Sequence, residues 1–260
     1  MLTLCLLGIT VGLLMGLTGA GGGILAVPLL VFFTGIPVTT AAPLALTAVA
    51  VAASIGALAG LRQGVLRYRA ACVMAGIGVV MAPLGLWVAH QLDNRLLMCV
   101  FALLLLVVAA ENLVQKNRLA RVERQACLLD PATGKLRWTS RCSLSLMGAG
   151  GLAGFLSGLV GVGGGFVIVP ALGRLSNLDM HSVIPTSLAV IALVSLSSLG
   201  SALLWGSFDV WLALPFVAGA MLGMLAGRRW TQCLTARSLK RGFAVVAATV
   251  AVMMVVRAIS

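Results

Sequence analysis

The chain has 260 residues, of which 61% are hydrophobic and only 9% charged, with a mean hydropathy of +1.13. Soluble domains are about one quarter charged, so the composition excludes a soluble fold and points to an integral membrane protein. Its length allows several spans of about 20 residues each. The net charge of +12 does not indicate a nucleic-acid binder, because the basic residues fall in short clusters between apolar runs, as they do in membrane loops.

In chain order, the first apolar segment covers 2–35 and is interrupted by "GLTGAGGGILAVP", from Gly16 to Pro28. Glycine loosens any helix it occupies, so this segment reads as two pieces. Ordinary spans follow at 39–60, 70–89 and 95–114. Residues 115–141 form a basic linker. The second half opens on another split segment, 143–173, with "GLVGVGGGFVIVP" from Gly158 to Pro170, and continues with spans at 181–204, 210–227 and 238–257. At a constant offset of 142, Gly8, Gly12, Gly16 and Gly19 match Gly150, Gly154, Gly158 and Gly161. The Gly21, Gly22, Gly23 triplet matches Gly163, Gly164, Gly165, while Pro28 and Pro43 match Pro170 and Pro185. The expected organisation is therefore a first transmembrane repeat at 1–114, a linker at 115–141 and a second repeat at 142–260. Such duplication is common in secondary transporters.

Lys and Arg prefer cytoplasmic loops. If each split segment enters and returns to the same side, sixteen of the eighteen Lys and Arg lie with the linker, and only Arg95 and Arg257 lie opposite. If each crosses once, the split is eleven to seven. The re-entrant reading is the stronger one. It gives an odd number of crossings per half, hence inverted halves, a cytoplasmic linker and both termini outside. The expected fold is all-α, with a Gly-broken re-entrant hairpin plus three transmembrane helices in each half.

Three sets of glycines spaced by four (Gly8, Gly12, Gly16; Gly150, Gly154, Gly158; Gly219, Gly223, Gly227) read as faces for helix packing. The triplets break that spacing. A turn there leaves backbone N–H groups free at the start of a half-helix, which favours an anion. The expected substrate-binding residues are Thr18, Gly19, Gly21, Gly22, Gly23, Gly161, Gly163, Gly164, Gly165, Thr186 and Ser187, with Pro28, Pro43, Pro170 and Pro185 as structural motif residues. Thr47, Ser54, Ser195, Ser197 and Ser198 also lie in apolar runs, where hydroxyls often bond back to their own helix. A phosphate-binding P-loop is excluded because the GK[ST] ending is missing.

These paired G-L-x-G-x-GGG-x(4)-P elements, the P-T-S at Pro185 and the basic central linker resemble the sulfite exporter TauE/SafE family over essentially the whole chain. The resemblance implies a bacterial-type inner-membrane exporter of small sulfur-containing anions such as sulfite or organosulfonates. Half one has Leu44 and Ala45 where half two has Thr186 and Ser187, so the implied site is asymmetric. An anion channel of the same architecture and a non-transporting membrane scaffold are the alternatives. An intramembrane enzyme is not expected, since no HExxH, Ser/Lys or paired-Asp arrangement lies in a span. The expected partners are a small anionic substrate and the lipid bilayer, with a homo-oligomer left open.

Five of the six acids fall in or beside loops, Glu111 lies near a span end, and His90 and His181 sit at span ends. A buried proton relay is therefore not expected. The six cysteines show no CxxC and no grouping with His, so no metal site, cofactor or disulfide is expected, the linker cysteines Cys127 and Cys142 being assigned to the reducing cytoplasm. Residues 1–27 lack a basic n-region, which argues against a cleaved signal peptide.

Overall fold

The computed structural model describes residues 2–19, 21–114, 127, 139–204, 210–230, 247–251 and 253. These residues are almost wholly helical, as apolar runs require when each segment must meet its own backbone hydrogen bonds. The helices are α1 (Leu2–Thr18), α2 (Gly21–Thr34), α3 (Val38–Arg62), α4 (Tyr68–Gln91), α5 (Asn94–Val114), α6 (Ser140–Val160), α7 (Gly165–Leu175), α8 (Met180–Leu204) and α9 (Val210–Trp230). Five of them, α3, α4, α6, α8 and α9, are long and apolar enough to cross a membrane. Most of the linker, and the expected last span at 238–257 apart from 247–251 and 253, lie outside the described residues. Large apolar side chains such as Leu103 and Val107 on α5, Leu196 on α8 and Leu214 on α9 are exposed. That surface suits lipid and would be a liability in water.

Backbone contacts set the packing. A Cβ built on Gly8 or Gly12 would strike Phe216 or Ala220 of α9, and one on Gly16 would meet Met224 and Arg228. Conversely, Gly219, Gly223 and Gly227 abut Cys5, Ile9 and Leu13. Numbers rise together, so α1 and α9 run parallel and touch backbone to backbone, as small residues permit. The same holds for α6 on α4, where Gly150, Gly154 and Gly158 abut Met74, Gly78 and Ala82. At the centre, α3 and α8 cross in opposite directions, with Gly56 on Leu188 and Gly60 on Pro185.

Both split segments fold back. Gly22, at the start of α2, lies against Val11 and Met15 of α1, and Gly164, just before α7, lies against Ala153 of α6. α7 returns to the beginning of α6: the Cys127 N–H donates to the carbonyl of Leu175, the last residue of α7, at 2.8 Å, and Cys127 is joined by a disulfide to Cys142, near the first turn of α6. That disulfide corrects the expectation of none. A single β-bridge from Cys127 to Ser176 holds the linker cysteine in place, and the two Cα atoms stand 4.9 Å apart, within bridging reach.

Pro28, Pro43, Pro170 and Pro185 lie inside α2, α3, α7 and α8. Each removes a helical N–H and leaves a carbonyl one turn back unmet, which local hydroxyls and close packing help to tolerate in a membrane helix.

Candidate functional site

The breaks in the two split segments differ in length. Only residues 19 and 20 separate α1 from α2, whereas Gly161 to Gly164 separate α6 from α7. Gly161 caps α6 in the left-handed region (φ 74°), and Gly163 and Gly164 repeat that conformation at φ 77° and 67°. Side-chain-bearing residues adopt it only at a cost, so three left-handed positions within four residues account for the glycines there. Gly19 (φ 77°) makes the corresponding turn after α1.

The turns reach across the centre of the molecule. A Cβ on Gly19 would meet Ile184 of α8 at 2.7 Å, and one on Gly161 would meet Ala42 of α3. A Cβ on Gly23 would lie 2.8 Å from the carbonyl oxygen of Val162 and 3.5 Å from Val49. A Cβ on Gly163 would lie 2.8 Å from both Val49 and the hydroxyl of Ser195, and 3.1 Å from Ile191. Val49 thus touches the starts of both short helices, close to the middle of α3.

α2 has 14 residues and α7 has 11. At about 1.5 Å per residue they are about 21 and 16 Å long, short of a hydrocarbon core of about 30 Å. Gly164 is the N-cap of α7 and supplies no side chain to its N–H groups. The Gly164 carbonyl already accepts from Val167 and Ile168. Among the described residues, no protein acceptor meets the N–H groups of Gly163, Gly164, Gly165 or Phe166.

The expected site residues divide. Gly23 and Gly163 face the crossing of α3 and α8. Gly22 and Gly164 instead pack on their own α1 and α6. The Thr18 hydroxyl bonds back to the Leu14 carbonyl at 2.7 Å. Thr186 is fully buried, donates to the Ser182 carbonyl at 2.6 Å and accepts from the Arg67 N–H at 3.1 Å. Ser187 donates to the Ile184 carbonyl at 2.8 Å. Thr186 lies nine residues before Ser195, about 13 Å along α8, so the structure does not bring these two hydroxyls to Gly163. The hydroxyl it does bring there is that of Ser195. In sequence Ser195 reads like the other membrane hydroxyls, and no local signal separates it from Ser198, which bonds back to the Val194 carbonyl.

Comparison with known proteins follows the same lines. Residues 4–254 match the family model described as sulfite exporter TauE/SafE. A probable membrane transporter protein of Xylella fastidiosa strain Temecula1 is 30% identical over 220 residues, covering 82% of this chain and 78% of its own length. A probable membrane transporter protein of Methanocaldococcus jannaschii is 28% identical over 202 residues (75% of this chain, 70% of the relative), and one of Bacillus subtilis is 26% identical over 232 residues (86% and 88%). No solved structure matches.

Proposed function

The chain belongs to the sulfite exporter TauE/SafE family, and from that premise we propose that it exports a small sulfur-containing anion across the inner membrane of a bacterial-type cell. The family and the relatives' names indicate a transporter rather than an enzyme. The observation that carries the proposal is the meeting of the two glycine turns at Val49. There, the starts of two short helices converge beside the α3–α8 crossing. Helix starts carry partial positive charge and donor N–H groups, and non-helical backbone at membrane depth is tolerated where it is buried in protein or lines a cavity.

In this reading residues 1–114 and 142–260 are inverted repeats with both termini outside, joined by a cytoplasmic linker whose Cys127–Cys142 pair is kept as thiols in the cell and closes to the disulfide on oxidation. Three features support it: contacts recur at the 142-residue offset (Gly19 on Ile184, Gly161 on Ala42), α1 pairs with α9 as α6 does with α4, and α3 crosses α8 in opposite directions. The site is made by Gly19, Gly21 and Gly23 of one half and Gly161, Gly163 and Gly165 of the other. Thr186 and Ser187 lie outside it, toward the Arg67 end of α8. An inside-negative potential drives each negative charge outward by about 2.3 kcal/mol per 100 mV, so export by alternating exposure of this site needs no proton relay.

The test is flux in proteoliposomes at a set potential, offering sulfite, sulfate, thiosulfate, taurine, sulfoacetate and acetate. The expected result is saturable, potential-dependent flux of a sulfur oxyanion, lost in a folded Gly163→Leu variant. Flux indifferent to potential, or none for any anion, would overturn the reading.

A further inference from the structure

We propose that Ser195 determines specificity at this site: its hydroxyl, acting with the N–H groups at the start of α7, selects singly charged oxyanions over doubly charged ones. The inference rests on the anion-transport reading above and adds a residue and a charge rule to it.

Ser195 is fully buried, and its hydroxyl has no hydrogen-bond partner. A buried hydroxyl rarely goes unmet. The neighbouring α8 hydroxyls all find carbonyls: Thr186 that of Ser182, Ser187 that of Ile184, Ser198 that of Val194 and Ser201 that of Ser197. Ser195 alone in this series takes none, and its oxygen is directed at the backbone of Gly163, 2.8 Å from where a side chain there would begin. The Ser195 hydroxyl and the backbone at the start of α7 therefore lie against each other, so closely that only glycine fits at position 163.

The charge rule follows from what surrounds that spot. The other groups nearest the Gly163 position are the apolar side chains of Val49 and Ile191, and the donors named, a hydroxyl and backbone N–H groups, are neutral. The start of a helix carries only about half a positive charge. That, with neutral donors, can offset one negative charge. The cost of stripping water from an ion rises steeply with its charge, and neither Val49 nor Ile191 carries a charge to offset a second one. The arrangement is also one-sided. At the 142-residue offset Ser195 corresponds to Ala53, which is buried and offers no hydroxyl. The α7 side of the site therefore offers a hydroxyl that the α2 side lacks.

Methanesulfonate and sulfate test this cleanly, being alike in shape and size but carrying one and two charges. Full-length protein in detergent would be melted with each, and proteoliposome flux measured for wild type and Ser195→Ala. Methanesulfonate should stabilise the wild type and be carried, with sulfate far weaker at equal concentration. Ser195→Ala should melt at the wild-type temperature without ligand, since no protein hydrogen bond is lost, and should need roughly tenfold or more methanesulfonate for half-saturation. A variant that binds and transports like wild type, or one that melts lower without ligand, would overturn the role of Ser195. Sulfate handled as well as methanesulfonate would overturn the charge rule. A wild type that neither binds nor carries any anion would overturn the transport reading and this inference with it, whereas normal wild-type flux with an unaffected variant would sink the inference alone.

Discussion

At the scale of single residues, glycines that look alike in sequence have opposite costs of substitution. Gly12 presses on the Ala220 backbone, which cannot rotate aside, whereas nothing lies within 4 Å of the Cβ position on Gly76. Gly12→Ala should therefore destabilise by about 1–3 kcal/mol, while Gly76→Ala, inside α4, should stabilise by up to about 1 kcal/mol. Melting of the two purified variants should show shifts of opposite sign. The four-residue spacing made the packing role of Gly8, Gly12 and Gly16 legible. It could not distinguish Gly22, which packs on α1, from Gly23, which faces Val162, because one residue of rotation separates them. Nor could sequence identify the acceptor role of Thr186, whose donor is 119 positions away. Thr186→Val should leave the Arg67 N–H unmet and lower stability by about 1–3 kcal/mol, measured by the same melts.

At the scale of elements, the hairpin of α6 and α7 is the part that sequence described best in outline and least well in detail. The glycine break was legible. The closure at its base was not, because compartment reasoning assigned the linker cysteines to a reducing space and could not foresee that the last residue of α7 would hold Cys127 in place. The bridge spans 15 positions, and a loop of that size is worth about 3 kcal/mol in the chain-entropy account. Oxidised protein should accordingly lose up to that much on Cys142→Ser, and wild type treated with dithiothreitol should fall to the same melting temperature. A variant unaffected by reductant but weakened by the mutation would place the effect in packing at the start of α6 instead.

At the scale of the whole molecule, the charge pattern makes a prediction about sidedness. Arg62, Arg67 and Arg69 stand at the end of the α3–α8 crossing where Thr186 meets Arg67, and Arg174 stands beside the base of the α7 hairpin, near Cys127. Fluorescent protein fused after Ser260 should stay dark, since it matures poorly once exported, and the same protein inserted at Gly134 should glow. The reverse pattern would turn the molecule over in the membrane. Composition and glycine pattern make the described helices and their order legible. The pairing of helices across the chain came only from the structure, because a glycine face specifies close contact without specifying with what. That pairing has a consequence for how the protein is made. α1 is clasped by α9 and α6 by α4, so the partner of each opening helix is contributed by the opposite half of the chain. Among the described residues neither half closes on itself, and the two resemble interlocked subunits threaded on one string. Severing that string in the linker should leave two fragments that are each degraded when expressed alone and that reassemble when made together.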